Sequence, residues 1–101
     1  MSLTKRYLKS KPVCKVTFRL PKEAGEWAQS AAVVGEFNGW SRKKHPMKKL
    51  KDGGFTATID LTQGESYQFR YLLNGRVWEN DGEADGYVRT IFASENCLVR
   101  L

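Results

Sequence analysis

Three tryptophans, one histidine and an acid-rich loop are the side chains of this 101-residue chain whose types and spacing could do chemistry. His45 stands alone in a basic stretch, SRKKHPMKK, and is expected at the surface. A general base of that kind needs an orienting partner and a nucleophile within reach. The chain has no Gly-x-Ser-x-Gly, His-Glu-x-x-His or Gly-x-x-x-x-Gly-Lys run that would supply them. The loop ENDGEAD at 79–85 offers oxygen ligands in Asp81 and Glu83, but not at EF-hand spacing. No enzyme, metal or cofactor is therefore expected. Trp27, Trp40 and Trp78 fall at strand ends or in loops. An indole there can present a broad apolar face and one N–H donor. A sugar ring suits such a surface, stacking its C–H face while its hydroxyls take hydrogen bonds. A nucleic-acid base would stack there too, if a basic groove lay alongside. The alternative is that each Trp plugs one end of a core, and for Trp40 and Trp78 the residues alone leave both readings open.

Charge does not decide between these ligands. The net charge is +6, with seven basic side chains and no acid in residues 1–22, and six more basic side chains in 42–51. Residues 79–95 are acidic, so segments of opposite sign allow self-association as a homodimer. A basic surface attracts nucleic acid, but a solvated, solubilising surface explains the same charge more simply. No stretch has the length of an apolar membrane span, and MSLTKRYLKSKP lacks the apolar centre of a signal peptide. A cytoplasmic protein is expected. Cys14 and Cys97 are too far apart in sequence for a zinc pattern. A bridge between first and last strands is conceivable, but the reducing compartment favours two buried thiols.

The elements that must position the tryptophans are short strands. VCKVTFRL (13–20), FTATIDL (55–61) and ESYQFRYLL (65–73) alternate apolar and polar side chains, the mark of half-buried strands. AAVVGEF (31–37) is a further strand entering Asn38-Gly39, and RVWEN (76–80) returns from a two-residue hairpin turn at Asn74-Gly75. ENCLVRL (95–101) closes the chain, and DGEADGYV (81–88) reads as a loop. Residues 1–12 read as a basic N-terminal arm outside a single sandwich over 13–101, loosely docked because no apolar period runs through it. No helical period appears. The pattern predicts an all-β, immunoglobulin-like sandwich of about seven strands.

Three motifs in order carry a resemblance: VVGEFNGWS, GGFTATIDL and GESYQFRYLLNGRVWEND. Together they resemble the carbohydrate-binding modules of family 48. These include the glycogen-binding module of the AMP-activated protein kinase β subunit and the early-set domain ahead of isoamylases and branching enzymes. The resemblance spans about residues 13–101 and implies a non-catalytic module that binds an α-1,4-glucan polysaccharide or oligosaccharide, glycogen or starch, on two tryptophan platforms. Trp40 and Trp78 match those platforms. Arg70 falls where the kinase module has a sugar-binding Lys. In RTIFASEN, Ile91 or Phe92 would give an apolar contact, and Asn96 or Glu95 stands near the family's Asn. A module by itself implies a targeting role toward a glycogen-metabolism enzyme in trans. The alternative function is a stand-alone protein-interaction module, self-associating, with sugar binding lost.

Overall fold

The computed structural model describes residues 3–92 and 94–101. The alternating runs form strands as expected and others join them; in chain order they are β1 (Leu3–Tyr7), β2 (Val13–Leu20), β3 (Ala31–Gly35), β4 (Lys48–Lys49), β5 (Phe55–Thr62), β6 (Ser66–Leu73), β7 (Val77–Glu79), β8 (Gly86–Arg89) and β9 (Glu95–Arg100). They build two antiparallel sheets, in the orders β1-β2-β5-β4 and β3-β6-β9-β8. Strand β7 shares with β9 the edge of β6 that faces away from β3, pairing beyond the point where β9 stops.

Alternation explains the core. In β2, Cys14, Val16, Phe18 and Leu20 are buried, while Lys15, Thr17 and Arg19 between them are not. Phe55, Ile59 and Leu61 of β5 meet them from the same sheet, and Phe69, Tyr71 and Leu73 of β6 from the other. The rings interlock edge to face, with Phe18 5.0 Å from Phe69 and Phe69 5.6 Å from Tyr71. Each fully buried side chain of this size stabilises the fold by about 1.5–3 kcal/mol. Asn74 and Gly75 both take positive φ (51° and 69°), as the hairpin turn requires.

Three local expectations change. The basic arm is not a loose lead-in over its whole length, because Leu3–Tyr7 pairs residue for residue with β2. Its inward positions are Leu3, Lys5 and Tyr7, so only Leu3 reaches the core and no apolar period is visible. Lys5 instead reaches Asp85 Oδ2 at 2.6 Å, an inward charge at a sheet edge. The 21–30 connection contains a one-turn helix, Lys22–Gly25, that starts after Pro21. Residues 86–89, read as loop, form edge strand β8 with no buried side chain, and for that reason it shows no pattern of its own.

Candidate functional site

The outward face of the second sheet is where the candidate residues meet. Residues directly opposite one another in a ladder point to the same side. Along β6 the outward positions are Gln68, Arg70 and Leu72; Arg70 lies across from Val34, and Leu72 lies across from Ala32 on one side and Trp78 on the other. Ala32, Val34 and Leu72 are buried although they point away from the core, and they form a second apolar cluster. This explains why every residue of β3 is buried.

Trp40 comes to this face from the loop after β3. Residues Glu36–Asn38 make a single 3-10 turn, and then Gly39 (φ 64°) and Trp40 (φ 61°) are both left-handed. Asn38 itself does not take positive φ. It is buried and acts as a bracket: its Oδ1 accepts from Gly35 N (3.1 Å) and Ser41 N (3.2 Å), and its Nδ2 donates to Val33 O (3.0 Å). A left-handed backbone costs a bulky residue about 1–2 kcal/mol, and the Asn38 bracket with the Trp40 N to Gly35 O bond (2.8 Å) holds it there. Such an outlier points from geometry toward function.

Trp40 and Trp78 line one open groove of about 630 Å³ together with Arg70, Asn96, Gln68 and Ile91. Trp40 is 39% exposed and Trp78 38%, so each indole is partly covered and partly offered to solvent. The Arg42 guanidinium lies 5.5 Å from the centre of the Trp78 ring, a cation–π contact from the Trp40 loop to β7. Arg70 is engaged. Its Nε and Nη2 donate to Glu95 O at 3.0 and 2.6 Å, and Asn80 Nδ2 donates to the same oxygen at 2.9 Å. Its Nη1 has no hydrogen-bond partner among the described residues. Asn96 Nδ2 donates to Gln68 Oε1 (3.0 Å), which leaves the Asn96 oxygen and the Gln68 amide nitrogen for a ligand. The wall beyond β8 is a tight hairpin tip. Thr90 and Ser94 hydroxyls meet at 2.8 Å, Thr90 N donates to Ser94 O (2.8 Å), and Ile91 and Phe92 stand 93% and 82% exposed. The Glu95 side chain is exposed, and it is the backbone carbonyl of Glu95 that accepts from Arg70.

Other candidates play structural parts. His45 is half-buried rather than a surface residue, with Nδ1 2.9 Å from Asn38 Nδ2. Asp81 is buried, and its Oδ2 accepts from the Tyr71 hydroxyl at 2.7 Å. Its Oδ1 accepts from Glu83 N at 2.8 Å. Among the described residues no group of three or more His, Cys, Asp or Glu could hold a metal ion. Cys14 and Cys97 are both free and buried. Burial pushes the Cys97 thiol up to about 11. Trp27 donates to Ala24 O (3.0 Å) and lines neither this groove nor its neighbour around Asn80. Sequence reasoning missed Gln68, Glu36 and Arg42. Gln68 was within reach of alternation, two residues before Arg70 on one face. The other two depend on loop placement that no local pattern carries.

Two face-to-face antiparallel sheets with an open, indole-lined groove on one outer face define a β-sandwich binding module. The chain belongs to the carbohydrate-binding module 48 family, the isoamylase N-terminal domain, whose model matches residues 15–93. This is a family of non-catalytic binding modules. Relatives include the 1,4-alpha-glucan branching enzyme GlgB of Photobacterium profundum, 44% identical over 43 residues, which are 42% of this chain and 6% of that enzyme. The chloroplastic/amyloplastic 1,4-alpha-glucan-branching enzyme of Oryza sativa is 35% identical over 63 residues, 52% of this chain and 8% of the enzyme. GlgB of Corynebacterium glutamicum is 34% identical over 68 residues, 62% of this chain and 9% of the enzyme. The chain thus spans less than a tenth of each of these relatives.

Proposed function

We propose that this module binds α-1,4-glucan, as glycogen, starch or a maltooligosaccharide, in the groove of the second sheet. The observation that carries the reading is that Trp40 and Trp78, distant in sequence, line one open groove with unused polar atoms on Arg70, Gln68 and Asn96. The two indoles stack on glucose rings. Arg70 Nη1, the Asn96 oxygen and the Gln68 amide take hydroxyls, and Ile91 adds an apolar contact from the hairpin tip. Branching enzymes named for 1,4-alpha-glucan carry sequence similar to this chain, which supports the ligand class. The groove is open, so binding is weak, and the role we assign the module is to hold an enzyme of glycogen metabolism at its glucan. Free, buried Cys14 and Cys97 suit a reducing, cytoplasmic setting.

Affinity electrophoresis in glycogen, repeated across salt concentrations, tests the ligand class. Retardation that persists as salt rises is expected. Nucleic-acid binding would instead fall steeply with salt through counterion release. A protein that ignores glycogen but shifts an oligonucleotide at low salt would overturn this reading. A second reading, a protein-interaction module, is favoured by one observation: Ile91 and Phe92 are almost fully exposed. Phe92→Ser separates the two, since it removes an exposed protein contact but leaves both indoles and Ile91 for glucan.

A further inference from the structure

The orientation of the Asn38 amide is fixed by its backbone partners. Gly35 N and Ser41 N can only donate, so the atom they meet must be the oxygen. The opposite atom is therefore the NH₂ group, confirmed by its bond to the Val33 carbonyl. That NH₂ also faces His45 Nδ1 at 2.9 Å. An amide NH₂ cannot accept, so Nδ1 must carry a lone pair. His45 is then neutral, with its proton on Nε2. Protonating Nδ1 would set two donors against each other. Relief would come from turning the Asn38 amide, which abandons Gly35 N and Ser41 N, or from expelling the ring. Either way the bracket that holds Gly39 and Trp40 in left-handed geometry is loosened.

We infer that neutral His45 is a positioning residue for Trp40, acting through Asn38, and that ligand binding in the groove weakens when His45 is protonated. The second half rests on the reading of Trp40 as part of the glucan surface. The surroundings reinforce the neutral form. Lys44 beside it and Lys48 on β4 border the hollow at His45; β5 supplies only Thr56, Ala57, Thr58 and Ile59. The Phe37 ring packs 5.9 Å away, and β3 gives its backbone, with Val33 N donating to His45 O at 3.0 Å. Glu36, in the 3-10 turn, and Asp60, on β5, have partners of their own, Gln68 N and Lys15. Burial first and Lys44 second hold the imidazole below its usual 6.5. A lowered folded-state value means that the fold binds fewer protons than the unfolded chain. The His45 contribution is thus complete above pH 6.5 and is lost as pH falls from there through the folded-state value.

Imidazole nitrogen NMR on the whole chain reads the tautomer, and a maltoheptaose titration over about pH 5 to 8 reads the coupling. The expected results are an Nε2–H tautomer, and a Trp40 indole N–H signal that moves with the titration of His45. Glucan affinity should fall over the same range, by about tenfold for each unit by which glucan lowers the His45 value further. His45→Gln restores an acceptor for Asn38 that cannot be protonated, and its binding should be flat across that range. An Nδ1–H tautomer, or a Gln variant that keeps the wild-type pH dependence, would overturn the inference. If Trp40→Ala binds glucan normally, the glucan reading fails. The indole signal following His45 still decides the positioning role on its own.

Discussion

Leu72 and Trp78 stand directly opposite one another across the β6–β7 ladder, on the face that points away from the core. Leu72 is 2% exposed there, so something must cover it, and the partly buried Trp78 across from it is placed to do so. A platform would be mostly exposed and a plug mostly buried; Trp78 is between them. Its removal should therefore be felt twice. Trp78→Ala should lose about 2–3 kcal/mol of stability, below the 3–5 of a fully buried aromatic. It should separately weaken maltoheptaose binding by about 1–3 kcal/mol, taking base–aromatic stacking as the scale. Urea unfolding and binding on the same protein check both. Unchanged stability would mean that the indole covers nothing, and unchanged binding that it stacks on nothing.

Arg70 is not the energetically silent strand residue that its outward position suggests. Two of its nitrogens hold the Glu95 carbonyl where β9 begins and its pairing with β6 ends. Charge-assisted bonds are worth about 1.5–3 kcal/mol, and partial exposure reduces that. Arg70→Ala should cost about 1–2 kcal/mol of stability, and glucan affinity should fall as well. Hydrogen exchange would localise the damage: faster exchange of amides at the start of β9, with β2 and β5 unaffected. Protection that stays uniform would show that the strap carries no strain of the fold.

Cys97 and Tyr71 make the fold sensitive to high pH. Desolvation is the largest cause in both, with Asp81 next for Tyr71; the thiol rises from 9.0 to about 11 and the phenol well above 10.0. A raised value keeps the proton on the folded protein after the unfolded chain has lost it. Their contribution to stability is thus full below pH 9.0 and should decline as pH rises from there through 11. Urea midpoints measured upward from neutral pH should fall, and Cys97→Ala should blunt the early part of the fall. Intact mass after alkylation near pH 8 should show both thiols unmodified in the native protein and both modified in denaturant. Rapid native labelling of Cys97 would contradict its burial.

Much of the sandwich was legible because a strand's in–out rule is local. One look at Cys14, Val16, Phe18 and Leu20, or at Phe69, Tyr71 and Leu73, assigns each side chain to a face. Edge strands escape that rule. Leu3–Tyr7 buries one side chain and Gly86–Arg89 none, so their places come from backbone bonds to β2 and β9, which leave no trace in side-chain type.

The sequence by itself determined the fold class, the hairpin at Asn74-Gly75 and the residue types of the groove, because alternation and turn chemistry act over neighbouring residues. Tertiary structure decided the rest. Trp40 and Trp78 share a groove only because β6 pairs with β3 along one edge and β7 along the other, a register set by long-range ladders. The same packing turned Asn38 from a turn residue into a buried bracket and gave His45 its partner. It also committed Arg70 to Glu95. Which polar atom is used and which is left for a ligand depends on neighbours far along the chain, and no local pattern records them.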